Sequence, residues 1–500
     1  MPEHGEPAEA WPRGTFATAK QSFGDLFRWK QRTQITNDYG ESHFVWQNPE
    51  PLKNPISLFG QLTAKAWLFF IVGLLAWTAD AFDFHSLSIQ TVKLAKYYDT
   101  SKTNVTTAIT LTLLLRSVGA AFFGVAGDKY GRKYPMVINM IVLGVLQIAT
   151  IYCATFGQFL AVRSLFGLFM GGVYGNAIAM ALENCPGNAR GLMSGILQQG
   201  YSLGYVIAAC VNLGIGGSTD SWKTMFWVGA GFSIAVGLIR LAFPESRQFI
   251  EAKKAGVKGT SAGAFWQESK VMLRKEWRMC VYCIILMTWF NYYSHTSQDS
   301  YTTFMLTEKE LSNAPATRAS ILMKTGACVG GTIIGYLSQW IGRRRAMPSL
   351  PSFFMQFFVQ GAWGVIPIHL NELSPPAFRS CFVGVTYQIG NMISSPSAQI
   401  VNALSESHFL TAPSGDRVEA YGPVMGIATV IIALGIAVTV AFGPEHKGSR
   451  FELAKPAGVQ EEEVRGKLGS DAGLERGEVE KAVPSQFENV DLERRVGEKV

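Results

Sequence analysis

Residues 124–133 read GVAGDKYGRK, and residues 335–344 read GYLSQWIGRR. Each closes an apolar run of helical length with glycines and then clustered basic side chains, the pattern of a membrane-crossing helix that ends on the cytoplasmic side. The matched glycines Gly131 and Gly342 lie 211 positions apart, so the chain repeats on the scale of half its length. A second pair, GVYGNAIAMALENCPGNARG from Gly172 and GAWGVIPIHLNELSPPAFRS from Gly361, aligns Glu183 with Glu372 and Arg190 with Arg379, but only 189 positions apart. The repeat has shortened by 22 residues between the two landmarks, which is the length of one membrane-crossing helix. Pro244-Glu245-Ser246-Arg247 and Pro444-Glu445-His446-Lys447 close the two halves in the same way.

The rest of the chain fits this frame. Hydrophobic residues make up 48% and charged residues only 16% of the 500, and apolar runs of about 20 residues recur, each long enough to cross a hydrocarbon core of roughly 30 Å. Spans are expected at 64–84, 105–125, 135–154, 158–182, 192–213, 222–243, 279–306, 317–340, 353–370, 378–404 and 424–442. The expected organisation is an all-α polytopic membrane protein of two six-helix halves, with the ninth crossing missing near 346–352 and about eleven spans. It comprises a cytoplasmic tail (1–62), a first half (63–247), a cytoplasmic loop (248–278), a second half (279–444) and a second tail (445–500). Because AMPSLPS after Arg345 carries two prolines and cannot replace a helix in lipid, two alternatives follow. Either the later helices invert, putting Glu372 and Arg379 outside, or the polypeptide comes from a gene reading that has lost an exon.

The net charge of +7 sits in alternate loops, at Lys129, Arg132 and Lys133, at Lys253 to Lys275, and at Arg343 to Arg345. That bias places those loops and both tails in the cytoplasm and gives no reason to expect nucleic acid as a partner. The seven cysteines are scattered among apolar segments and read as helix-packing thiols. No metal-ligand cluster, cofactor motif or catalytic constellation stands out, so neither an enzyme nor a resident cofactor is expected.

Chemistry is expected where ionisable or amide groups interrupt the spans, since such groups are costly in lipid and normally face a cavity. Arg116 lies eleven residues into the second span, near the bilayer midplane. Its guanidinium suits bidentate binding of a carboxylate, with pairing to Asp80 or Asp83 as the structural alternative. In the seventh span Asn291, Ser294, His295, Gln298, Asp299 and Thr302 fall on one side of a helix. There His295 and Asp299, at i and i+4, form a pair able to hold a proton near neutral pH. Asp80 and Asp83 near the outer end of the first span either bind a proton or face a vestibule. Arg163 and Lys324 are further charges within spans, Lys324 either functional or snorkelling.

The glycine and basic motif Gly127, Asp128, Gly131, Arg132 and Lys133, with Gly342, Arg343 and Arg344 in the repeat, resembles the cytoplasmic loop motif of the major facilitator superfamily. There it gates rather than selects, and Glu183, Arg190, Glu372 and Arg379 belong to the same charge network. Gln339 stands where the first half has Asp128, so the second latch is expected to be weaker or differently made. The seventh-span stretch fits N-x-x-[ST]-H-x-[ST]-Q-D-x-x-x-T throughout and resembles the fungal permeases that carry lactate and pyruvate with protons. That resemblance implies Arg116 as the carboxylate site, His295 and Asp299 as the proton couple, and Asn291, Gln298, Gln388 and Asn391 as residues shaping the site. It also implies the plasma membrane as the address, with protons as the coupling ion. Tail lysines such as Lys467 and Lys481 are candidate sites for a ubiquitin-ligase adaptor. A sugar or other organic-anion porter, and a non-transporting sensor or defective paralogue, are the rival readings.

Overall fold

The computed structural model describes residues 15–36, 42–49, 51–100, 102–215, 219–245, 262–343, 355–375, 378–411 and 415–447. The first half comprises α3 (Ala64–Ile89), α5 (Lys102–Tyr130), α6 (Lys133–Ile151), α7 (Phe156–Glu183), the tandem α8 (Arg190–Gln198) and α9 (Gly200–Gly214), and α10 (Trp222–Ala242). They follow α1 (Thr15–Leu26), the hairpin β1 (Gln31–Thr36) and β2 (Ser42–Gln47), and α2 (Pro55–Gly60), with α4 (Thr91–Tyr97) after α3. The second half comprises α11 (Ala262–Gln298), α12 (Tyr301–Thr307), α13 (Asn313–Ile341), α14 (Met355–Leu373), the tandem α15 (Arg379–Ser394) and α16 (Ser397–Ser407), a small hairpin, and α17 (Tyr421–Phe442). Among the described residues seven helices are long and apolar enough to cross a membrane: α3, α5, α6, α7, α10, α13 and α17. Outward-facing Ile427, Val430, Ile431, Leu434 and Val438 give α17 a surface that suits lipid rather than water.

Local sequence sets the ends of these helices. Thr155 and Gln158 form a reciprocal capping box at the start of α7. Gly131 and Gly342 adopt φ of 91° and 92° at the two matched loops, a left-handed conformation that other residues reach only with strain. The same backbone requirement thus recurs at both copies of the motif.

Two regions differ from expectation. Helix α11 begins at Ala262, within the expected central loop. Residues 262–278 are rich in Ala, Glu, Lys, Arg and Met, all good helix formers, so the helix runs on past its apolar section. The N-terminal segment, expected to be a tail, packs against the end of the second half that carries Trp340 and Phe442. Gln31 Nε2 donates to the Trp340 carbonyl at 2.5 Å, Lys447 Nζ donates to Gln31 Oε1 at 2.7 Å, and Phe23 stacks on Phe442 at 5.4 Å.

Helices α13 and α14 run parallel. A Cβ on Gly330 would meet the Phe357 carbonyl, one on Gly364 would meet that of Gly331, and Arg343 pairs with Glu372 beyond them. Inversion of the later helices is therefore not found: Glu372 and Arg379 lie at the same end of the bundle as Glu183 and Arg343. The start of α14 stands about 20 Å above the end of α13, a climb within reach of the 12 steps from Arg343 to Met355. The expected gap at 346–352, Arg344 and the C-terminal tail beyond Lys447 lie outside the described residues.

The halves meet over glycines and stacked rings. Tyr174 and Tyr387 stack at 4.0 Å, with Trp77 and Trp363 against them. A Cβ on Gly175 would come within 2.4 Å of the Ser380 carbonyl, backbone that cannot move aside cheaply. Gly175→Val is expected to destabilise the protein by about 1–3 kcal/mol. Gly426→Val, with nothing within 4 Å of its Cβ position, should leave the thermal midpoint in detergent unchanged.

Candidate functional site

At the middle of the bundle lies a cavity lined from the first half by Arg116, Gln198 and Tyr201, and from the second by Asn291, His295 and Asn391. Arg116 is fourteen residues from either end of α5, about 21 Å at 1.5 Å per residue. Its backbone is pressed against α7 because Gly171 offers no Cβ: one there would stand 1.9 Å from the Arg116 carbonyl. The guanidinium donates one bond, at 3.3 Å, to Asp80 Oδ2, and lies over the Phe84 ring at 5.3 Å. Arg116 Nε and Asp80 Oδ1 have no hydrogen-bond partner among the described residues. The pair is thus incomplete, with donor and acceptor capacity left over at the membrane's centre.

His295 faces the cavity from α11. Its Nδ1 lies 2.8 Å from Asp299 Oδ2 and its Nε2 lies 2.9 Å from Asn391 Oδ1. With an oxygen facing each ring nitrogen, this orientation of the amide suits a doubly protonated ring. Asn391 Nδ2 donates onward to Gln388 Oε1 at 3.3 Å, while Gln388 Nε2 has no partner among the described residues. Turning both amides over would present an N–H to an unprotonated Nε2 and pair Gln388 Nε2 with Asn391 Oδ1. The same residues therefore serve either protonation state. Asp299 is exposed where His295 is buried.

At the end of the bundle that carries the two matched loops, Asp128 accepts from the backbone N–H groups of Ser380 at 3.0 Å and Cys381 at 2.8 Å, at the N-terminus of α15. A carboxylate there meets unpaired N–H groups and the positive end of the helix dipole. Glu183 accepts from Arg132 with one oxygen and from Arg379 at 3.3 Å with the other, so one carboxylate ties the halves together. Burial alone would lower the pKa of Arg132, which lies between helices, but Glu183 and Asp128 outweigh it and hold it above its ordinary value. In the repeat, Arg343 makes a two-pronged contact with Glu372 at 3.2 and 3.3 Å, while Gln339 Oε1 accepts from Arg343 Nη2 at 2.9 Å and its Nε2 donates to the Gly187 carbonyl at 3.4 Å. An amide thus replaces the helix-capping acid. Glu245 and Glu445, from the matched helix ends, accept from the backbone N–H groups of Lys133 and Arg343.

The sequence profile described as Major Facilitator Superfamily matches residues 66–440. The chain belongs to the Major Facilitator Superfamily. It is 30% identical over 464 residues to a carboxylic acid transporter protein homolog of Saccharomyces cerevisiae, covering 85% of this chain and 74% of the relative. It is also 23% identical to a probable 4-methylmuconolactone transporter of Cupriavidus pinatubonensis, over 77% and 95% of the two chains. The E. coli xylose transporter, in a partially occluded inward-open conformation, superposes with a TM-score of 0.59 at 16% identity, over 77% of this chain and 100% of its own. A human organic anion transporter gives 0.56 at 12% identity, over 76% and 100%. Both solved structures speak to the fold.

Within this superfamily fold, Arg116, Asn291, His295 and Asn391 line one cavity. Gln298 and Gln388 stand one residue behind the cavity wall, bonded to Ser294 and Asn391. Asp80 is not a vestibule residue but the partner of Arg116. Asp83, three residues on, turns to another face: it accepts from Ser233 of α10 at 2.8 Å and does not line the cavity. Arg163 donates to Gln147 at 2.9 Å and lies over Phe166. Lys133 contributes its backbone to the clamp, with its ammonium over Tyr134. Sequence reasoning missed Gln198, Tyr201, Gln360 and Trp363, although Gln198 and Gln360 are amides within spans and carried that signal.

Glu183→Gln leaves two buried guanidinium groups short of a counter-charge and is expected to cost about 3–5 kcal/mol. Lys133→Ala should cost little. Thermal unfolding in detergent, followed by alkylation of the buried Cys185 and Cys283, measures both.

Proposed function

We propose that this superfamily member carries a small carboxylate of the lactate and pyruvate class into the cell together with a proton. In this reading it works by alternating access across the plasma membrane, with both termini cytoplasmic and the proton as coupling ion. The observation that carries the proposal is Arg116, an incompletely paired guanidinium at midplane depth in the same cavity as the His295–Asp299 pair. The carboxylic acid transporter homolog among its relatives supports the same substrate class.

Charge accounting gives the mechanism. In the empty carrier Arg116 and Asp80 balance one another. A substrate carboxylate on the remaining face of Arg116 adds one negative charge beside Asp80, in a low-dielectric site where two acids on one cation repel. A proton on His295 restores the total, so loaded and empty carriers have equal charge and reorient at similar cost. Exposed Asp299 gives that proton a route from solvent to the buried ring. The paired amides of Asn391 and Gln388 turn over as it arrives. The midplane site rocks between the two sides as the Glu183 and Asp128 clamps open and close.

The test uses yeast lacking its own carboxylate permeases and labelled lactate. Arg116→Gln is expected to lower uptake by about 30-fold or more at equal surface abundance, the cost of losing a buried charged partner. His295→Gln should keep lactate exchange but lose accumulation against a gradient. Uptake that survives both substitutions unchanged sinks the proposal. In vesicles, uptake should follow the pH gradient and ignore a membrane potential imposed with potassium and valinomycin; a strong response to potential would contradict the charge accounting.

A further inference from the structure

Lys324 lies in α13, 1% exposed, and the carboxylate reading gives it no task. Its ammonium donates to Gln298 Oε1 and stands over the rings of Tyr201 at 5.7 Å and Tyr205 at 5.0 Å. These contacts suit a cation. The Asp299 carboxylate acts on the ammonium at longer range, but the group that accepts its hydrogen bond is the amide of Gln298.

That amide has only one workable orientation. An ammonium donates and cannot accept, so Gln298 must turn its oxygen to Lys324 and its NH2 away. The NH2 meets Ser294 Oγ at 2.8 Å, so the hydroxyl accepts there and its own hydrogen remains free to point elsewhere. Helical hydroxyls ordinarily place that hydrogen on the carbonyl four residues back. In α11, Thr288 does so to Ile284 and Ser297 to Tyr293, both within 2.8 Å. Ser294 donates no such bond among the described residues, and it lines the cavity.

We propose that Lys324, acting through Gln298, holds the Ser294 hydroxyl as a hydrogen-bond donor to the transported carboxylate. Ser294 is then an anion contact on the α11 wall, distinct from Arg116 on α5, and Lys324 is a positioning residue that never touches substrate. The inference rests on the carboxylate reading and names a further part of the same site. Its chemistry is directional: a positive charge fixes an amide, the amide fixes a hydroxyl, and the hydroxyl faces the anion.

Initial rates of labelled lactate uptake, normalised to carrier at the surface, test it. Ser294→Ala and Lys324→Met are each expected to raise KM about tenfold, as for loss of a hydrogen bond to a charged group, with Vmax much less affected. Ser294→Thr, which keeps the hydroxyl, should recover most of the lost affinity. The double variant should be no worse than either single, because both cut one chain. An unchanged KM in Ser294→Ala, or a double variant that multiplies the two effects, overturns the inference. Should Lys324→Met fail to reach the surface, Gln298→Met breaks the chain at its middle and is held to the same criteria. Arg116→Gln run alongside separates the two claims. Its loss of uptake with an unmoved KM in Ser294→Ala removes this inference alone, whereas its retention of uptake removes the carboxylate reading beneath it.

Discussion

A guanidinium fourteen residues from either end of a membrane helix has no bulk water within reach, and the structure is organised around compensating it. Arg116 draws Asp80 from α3 and the Phe84 ring beneath it. Those contacts in turn require α3, α5 and α7 to pack closely. Gly171 supplies the closeness by letting the backbone of Arg116 rest on α7. The compensation stops short of completion, since a fully satisfied arginine would have nothing left for an anion. Stability and binding thus make opposite demands on one side chain, and the single bond to Asp80 is where they meet.

The clamps at the two matched loops show how a duplicated sequence builds an unequal pair. Both copies keep the left-handed glycine, the arginine after it and the glutamate that receives it. Only the first keeps the acid that caps a helix of the opposite half. Asp128 meets two backbone N–H groups and a helix dipole; Gln339 brings no charge to its counterpart. The interface between the halves is accordingly held more firmly along the Asp128 and Glu183 edge, so opening has a stiff side and a yielding side.

Much of this was legible in the sequence, for a physical reason. Lipid penalises polar groups strongly enough that Arg116, Asn291, His295 and Asn391 announce a cavity by being within spans at all. The repeat announces the clamp, because matched glycines and acids survive in both halves. What the sequence left hidden was pairing within a helix face. Asp80 and Asp83 look equivalent on paper, yet three residues of helical rotation send one to Arg116 and the other to Ser233. Tyr201 and Trp363 were invisible because an aromatic in a span is ordinarily packing. The docked N-terminal segment escaped because its anchors, Gln31 and Phe23, belong to a polar stretch whose partners lie more than 300 residues away.

The parallel run of α13 and α14 carries a consequence for biogenesis. A translocon inserts successive helices with alternating direction and reads flanking arginines and lysines to choose it. In the packed fold, two consecutive long helices point the same way, and Arg379 and Lys447 lie at the end of the bundle that carries Glu183 and Gln339. Simple alternation from α13 onward would instead deliver those charges to the far side. Insertion and packing therefore ask for opposite orientations of everything after α13. Assembly of this chain must resolve that conflict before the halves can pack.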